Sequence, residues 1–319
     1  MQVIRLLDAI PASLTRTVLA IGNFDGMHRG HQAILQNVRE RARLLDAQSV
    51  AVTFDPHPGR LLRPAQAPRL ITPLPQRLDL LAQTAIDAAV VIPFTEKFSH
   101  LSAHDFADGV LHRTLHAVEV HEGDTFRFGH GATAGTVELE QLGRELGFSV
   151  VKESALTVRG IPVSSSQIRL RIAAGDVSSA RALLGRPFSI QSTQARGRGI
   201  GKRLTVPTIN LARYEELVPA NGVYITRVTI GSGLNRTVFD AVTNAGNRPT
   251  FGEDSYAIES HLLDFHPIAM NEETPIEVCF LGRIRAERRF DSPEALKAQI
   301  LHDVAHARRY FSLANAMSM

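Results

Sequence analysis

The chain has 319 residues, 44% hydrophobic and 21% charged, a balance typical of a globular protein and a length that calls for two domains. No apolar run nears the roughly 18–20 residues that cross a bilayer, residues 1–16 lack the apolar core of a secretory signal, and a single cysteine, Cys279, excludes an internal disulfide and a cysteine-based zinc site. With 35 Lys and Arg against 32 Asp and Glu, the net charge is only +3, too balanced to argue for nucleic acid. The expected setting is the cytoplasm, with no membrane and no nucleic-acid partner.

Residues 17–24, TVLAIGNF, are a short apolar run ending in Gly, Asn and Phe, which predicts a buried strand. Over 31–46, Ile34, Leu35, Val38, Ala42 and Leu45 share one helical face. Strand patterns follow at 49–54, 88–94, 117–120 and 149–153, and helical ones at 77–84, 104–115 and 138–148. This alternation predicts a parallel sheet with helices on its faces. Two further helices, 164–175 and 177–185, close this part. From residue 186 the pattern changes. Segments 221–231, 236–246, 256–265 and 274–284 are short, β-branched and separated by Gly, Asn and Pro, which predicts an antiparallel barrel or sandwich. Ser292 opens a terminal helix. The boundary is expected between Leu184 and Ser189, giving an α/β domain at 1–185 and a β domain with a terminal helix at 186–319.

Chemistry concentrates first at GNFDGMHRGHQAIL, residues 22–35. His28, Gly30 and His31 follow a strand and open a helix, at the carboxyl end of a parallel sheet, where ligands bind. Unpaired N–H groups at a helix start favour anions, glycines let a phosphate approach the backbone, and two imidazoles can donate hydrogen bonds as charge builds on it. Two other readings stand beside this one: a metal site with Asp25 as third ligand, and a pair of core histidines. VTFDPHP (52–58) ends a second strand, where Phe54 lines an adenine or flavin pocket or simply precedes a proline turn. VSSSQIR (163–169) sets three hydroxyls and Arg169 at a helix start, for a phosphate or for capping.

In the second part, GRGIGKRLTVPTINL (197–211) reads as a loop folded over phosphates or as a surface turn. Thr208 and Asn210 point the same way in an extended segment and offer hard oxygens of the kind Mg²⁺ accepts beside ATP. In ESHLLDF (259–265), Glu259 and His261 share a strand face. Glu259 is either an exposed strand residue or a base for a hydroxyl attacking the γ-phosphate. TNAGNRPTFG (243–252) is a loop that can close over a ligand. Two basic clusters, Arg196, Arg198, Lys202, Arg203 and Arg283, Arg285, Arg288, Arg289, are solvated faces or a means of neutralising a small polyanion.

GNFDGMHRGHQ, VTFDPHP, FRFG and SSSQIR, in this order, resemble the adenylyltransferase half of the bacterial bifunctional riboflavin kinase/FAD synthetase family. PTIN, NGVYI, NAGNRPTF and ESHLLDF resemble its kinase half, so the likeness spans about residues 15–310. The resemblance implies a Rossmann-like nucleotidylyltransferase domain followed by a small barrel. It implies phosphorylation of riboflavin to FMN and AMP transfer from ATP to FMN, giving FAD and pyrophosphate, with Mg²⁺ as cofactor. The implied state is a monomer or weak homo-oligomer.

By the same resemblance, His28 and His31 hold ATP phosphates and stabilise the transferring phosphorus. Gly22, Phe24, Asp25, Gly30, Ser165, Ser166 and Arg169 complete that ATP site, and Phe54, Pro56, His57 and Phe128 meet the flavin. In the kinase half, Gly199, Gly201 and Lys202 bind ATP, Thr208 and Asn210 hold the metal, and Glu259 is the base. Asn244, Arg248 and His261 meet the flavin there. Where the family reads Phe-Gly-Lys-Gly-Arg-x-Gly-Asp, this chain has FGHGATAG, with His130, Ala132 and Gly135 at the changed positions. Thr125 and Pro162 also depart. These changes leave two alternatives: a kinase with weakened adenylylation, or a non-catalytic flavin- or nucleotide-binding protein.

Overall fold

The computed structural model describes residues 1–5, 7–123, 125–195, 203–204, 207–247 and 256–316. It forms two compact units, Met1–Ser165 and Ser166–Met319.

The first unit is built on β1 (Gln2–Ile4), β2 (Thr17–Ile21), β3 (Gln48–Asp55), β4 (Ala88–Pro93), β5 (Ala117–Gly123) and β6 (Ser149–Glu153). They form one parallel sheet in the order β1-β4-β3-β2-β5-β6. The chain winds outward from β2 through β3 to β4, then returns to β5 on the other side of β2. The connections carry α1 (Arg29–Leu44), α2 (Pro58–Leu62), α3 (Leu74–Ala82), α4 (Glu96–Ser99), α5 (Ala103–Asp105), a π-helix over Phe106–Thr114, and α6 (Thr136–Leu146). The segment expected as one α-helix at 104–115 is thus mostly π-helical, with Leu115 N–H bonded to Val110 O.

Both sheet faces are covered, which is why the strands read as unbroken apolar runs. Val18 and Ala20 of β2 pack with Leu35 and Val38 of α1 and Leu81 of α3. Leu19 and Ile21 face the other way, toward Phe106, Val110 and Leu139. Beyond β6 come a two-stranded hairpin, β7 (Thr157–Val158) and β8 (Ile161–Pro162), and the start of α7 (Ser165–Ala173).

A polar network joins α1 to β5 and β6. Arg41 grips Glu119 with two hydrogen bonds (2.7 and 2.8 Å). His121 lies between Glu153 (2.7 Å) and Glu119 (3.0 Å), and Asn37 donates to both Glu153 oxygens. The Arg41 hydrogen bond, aided by His121, holds the Glu119 carboxyl down at about 2. A carboxyl lowered on folding stabilises above its unfolded value, and that gain is lost as pH falls through the folded value. Stability is therefore expected to decline from about pH 4.5 downward. Glu119→Gln should flatten that acid limb in urea titrations and lower neutral-pH stability by about 1–3 kcal/mol.

The second unit holds the rest of α7, α8 (Val177–Leu184), β9 (Phe188–Ser192), β10 (Arg203–Leu204), β11 (Thr208–Asn210), β12 (Gly222–Ile230), β13 (Thr237–Asn247), β14 (Tyr256–Leu262), β15 (Ile268–Ala269), β16 (Ile276–Ala286) and α9 (Pro293–Ala316). Most of α7 and all of α8 fall in this compact unit. The reason is packing: α8 lies on β9 and β16, and Arg283 of β16 donates to Ala174 O between the helices.

Six strands form an antiparallel sheet, β11-β14-β13-β12-β16-β9. Past β9 the chain returns to β11, with Ala195 N–H bonded to Asn210 O and Ala212 N–H to Thr193 O, each at 2.8 Å. The two sheet edges therefore meet, as a barrel requires. Inside it, three fully buried hydroxyls form a chain across neighbouring strands: Thr226 to Thr243 (2.6 Å) and Thr243 to Ser260 (2.8 Å). Outside, Ala307 and Phe311 of α9 cover Val223, Ile225 and Val242. Three arginines of the second basic cluster have protein partners. Arg283 is bound to backbone carbonyls, Arg285 is paired with buried Asp303 at 2.8 Å, and Arg288 lies over the Phe290 ring. Among the described residues, no helix is long and apolar enough to cross a membrane.

Candidate functional site

In the first unit, chain direction and helix capping build the site. After β2 the backbone turns through three left-handed residues, Phe24 (φ 46°), Gly26 (φ 84°) and Met27 (φ 39°). Such strain persists only where surrounding contacts impose it. Here Asp25 imposes it: its buried carboxylate accepts the backbone N–H groups of Ile71 (3.0 Å) and Thr72 (2.9 Å). Gly26 N–H donates to Thr72 Oγ1, and the Ser165 hydroxyl donates to Asp25 O at 2.8 Å. Asp25 thus shapes the loop, its carboxylate taken up by the backbone N–H groups of Ile71 and Thr72. That removes the third ligand from the metal reading.

His28 caps α1, its Nδ1 accepting from His31 N–H at 3.3 Å. Accepting at Nδ1 leaves the proton of a neutral ring on Nε2, a donor. The His28 and His31 rings stack with centroids 3.5 Å apart, an arrangement unsuited to shared chelation, and Phe24 meets His31 edge-on at 5.2 Å. His31 Nδ1 is buried without a hydrogen-bond partner. Burial first, then His28 and Arg77, push the His31 ring well below its ordinary pKa, so it is neutral at neutral pH. Gly30 leaves room for the cap, since a Cβ there would lie 3.2 Å from His28 Nδ1.

Sequence reasoning missed Arg77. This α3 guanidinium is 1% exposed and donates to Asn23 O, Thr53 Oγ1 and Phe54 O. It ties the loop after β2 to the end of β3. Phe54 and Phe128 stand at two points of one aromatic chain. Phe54 contacts Phe94 (5.7 Å) and Phe98 (6.1 Å), Phe98 contacts Phe106, and Phe106 contacts Phe128 (5.7 Å). His57, next to Pro56, uses Nδ1 to cap α2 at Gly59 N–H. Gly22 closes β2 by bonding Val52 O. Ser166 and Arg169 lie on α7 beyond the unit boundary, Ser166 exposed and Arg169 half-buried. Gly135 is the N-cap of α6, where Asp in place of Gly changes stability by only a few tenths of a kcal/mol.

In the second unit, register brings the expected residues together. Asn210 of β11 pairs with Glu259 of β14, and Glu259 pairs with Asn244 of β13. Thr208 pairs with His261. Ile258, Ser260 and Leu262 are buried inside the barrel, so the intervening Glu259 and His261 face outward. Asn210, Glu259 and Asn244 thus form one lateral row, with Thr208 and His261 a step along. Thr208 and Asn210 present a hydroxyl and an amide, a donor set that fits Mg²⁺ retaining water and phosphate ligands. Gly199, Gly201, Lys202 and Arg248 lie outside the described residues.

A capped imidazole pair at a parallel-sheet edge and an outward oxygen row on a barrel, carried by one chain, define a two-domain nucleotide-dependent transferase. Residues 10–167 match the FAD synthetase family model, and 184–311 match that of riboflavin kinase. The bifunctional riboflavin kinase/FMN adenylyltransferase of Escherichia coli (strain K12) is 35% identical over 297 residues, 93% of each chain. The protein of that name from Pseudomonas fluorescens is 36% identical over 309 residues, 97% of each. A solved structure described as a macrolide-efflux protein from Streptococcus pneumoniae superposes with a TM-score of 0.83 at 25% identity, over 97% of this chain and 99% of that one. This chain belongs to the bifunctional riboflavin kinase/FMN adenylyltransferase family.

Proposed function

We propose that the chain converts riboflavin to FMN in its second unit and FMN to FAD in its first. The observation that carries this is the pairing, in one chain that both family models match, of the capped His28–His31 pair with the Asn210–Glu259–Asn244 row.

In the second unit the ribityl 5′-hydroxyl attacks the γ-phosphorus of ATP, and the bond to ADP breaks. Glu259 accepts the hydroxyl proton. Thr208 and Asn210 would hold Mg²⁺, which when bound draws charge from the phosphates. Asn244 and His261, one strand from the base or two residues along from it, position the flavin, with Arg248. Gly199, Gly201 and Lys202 hold the nucleotide.

In the first unit an FMN phosphate oxygen attacks the α-phosphorus of ATP, and the bond to pyrophosphate breaks. His28 and His31 donate hydrogen bonds to the phosphate oxygens as charge shifts toward pyrophosphate. Gly22, Phe24 and Gly30 shape the approach, with Ser165 as a further phosphate contact, while Phe54, Pro56, His57 and Phe128 border the flavin. The protein works in the cytoplasm as a monomer or weak homo-oligomer.

Incubation with riboflavin, ATP and Mg²⁺, followed by chromatography, tests the assignment. FMN appearing first and FAD after it is the expected result. Absence of FMN would reject the reading, and FMN without FAD would select the kinase-only alternative.

A further inference from the structure

We propose that Glu122 reads the flavin: its carboxyl group, set in the gap between β2 and β5, donates a hydrogen bond to the isoalloxazine ring of FMN. The inference rests on the adenylyltransferase reading of the first unit.

The β2–β5 ladder ends at Ala20 and His121. At the next register the Ile21 N–H is met by the Glu122 side chain, Oε1 at 3.0 Å, and Gly22 N–H has already turned to Val52 O of β3. A carboxyl therefore replaces a backbone rung where the two strands part. In the strand order this gap is the point at which winding reverses, the place where open α/β sheets admit ligands.

Glu122 is 3% exposed, and Oε2 makes no hydrogen bond among the described residues. Oε2 is thus left with its hydrogen-bonding capacity open to a further molecule. Alternation along β5 puts Glu122 on the face of Val120, whose cluster contains Phe128 with Phe54 packed against it. Those are the two aromatic side chains proposed to border the flavin. Glu119 and His121 lie on the opposite face, bound to α1 and β6, so no charged side chain among the described residues pairs with Glu122.

Burial pushes the Glu122 carboxyl well above the usual carboxylate range, toward its neutral form. A neutral carboxyl accepts at one oxygen and donates from the other. Oε1 takes the Ile21 N–H, which leaves an O–H for a ring nitrogen or carbonyl. The edge of an isoalloxazine carries such acceptors.

The test is steady-state FAD formation by the full chain, with KM for FMN and for ATP measured separately as a function of pH. Glu122→Val should raise KM for FMN about tenfold, the loss of one hydrogen bond, with KM for ATP unmoved. Glu122→Gln, which keeps both an acceptor and a donor, should recover most of that loss. Wild-type KM for FMN should rise toward alkaline pH as the donor ionises, and the Gln variant should be flat. If the Val variant fails to melt cooperatively, the pH profile of the Gln variant decides. An unchanged KM for FMN in Val, equal losses in Val and Gln, matching pH profiles in wild type and Gln, or an effect on ATP alone would each overturn the proposal. Absence of FAD from the wild type would instead reject the reading on which it rests.

Discussion

Glu259→Gln is expected to reduce riboflavin phosphorylation by about 10²–10⁴-fold, the usual contribution of a positioned general base. The amide keeps the size of the side chain and its place opposite Asn210 and Asn244 but cannot take a proton. The loss should fall on kcat, with KM for riboflavin nearly constant, because the base acts as the hydroxyl attacks. FMN supplied directly should still be converted to FAD, since that chemistry is proposed for the other unit. A variant that retained near-normal FMN formation would remove Glu259 from the mechanism. Burst and steady-state chromatography of FMN from riboflavin and ATP reads both parameters.

His28→Ala is expected to lower FAD formation about 10²–10³-fold, the scale seen when one preorganised donor to a developing charge is removed. Two effects add. The Nε2 donor is lost, and so is the cap that accepts His31 N–H, worth about 1 kcal/mol of helix stability. Riboflavin phosphorylation, measured in the same preparation, should persist and report that the chain is intact.

His31 differs in its pH behaviour. A ring pushed below its ordinary pKa on folding must take up a proton when the chain unfolds in acid. Its favourable contribution is full above about pH 6.5 and is lost as pH falls toward the folded value. His31→Phe should therefore make thermal stability less dependent on pH below about 6.5.

How much of this was legible beforehand follows from where the information lies along the chain. The imidazole pair was visible because strand, glycine and helix start are consecutive in sequence. The oxygen row was half visible. Thr208 with Asn210, and Glu259 with His261, show as two-residue spacings, whereas their alignment across β11, β14 and β13 depends on strand pairing. Arg77 was hidden: in RLDLLAQT it looks like a solvated helix arginine, and only carbonyls arriving from β2 and β3 make its burial possible. The loop-shaping bonds of Asp25 were hidden for a related reason. A carboxylate beside two histidines suggests a ligand, yet its partners come from residues 71 and 72, far off in sequence. Helical periodicity at 165–184 says nothing about which neighbour supplies the opposing face, so the packing of α8 on β9 and β16 could not be read from it. Glu122 gave no signal, since a glutamate ending a strand is ordinarily exposed.

The row of buried hydroxyls inside the barrel has a consequence for its outer surface. Sliding β14 by a single residue past β13 would rotate Ser260 out of the interior and turn Glu259 into it. Thr243 would lose its Ser260 partner, and a carboxylate would enter an apolar chamber. The interior thus works like the pins of a lock. Hidden oxygens admit one alignment of the strands, and that alignment places an acid and two amides shoulder to shoulder on the far side of the wall.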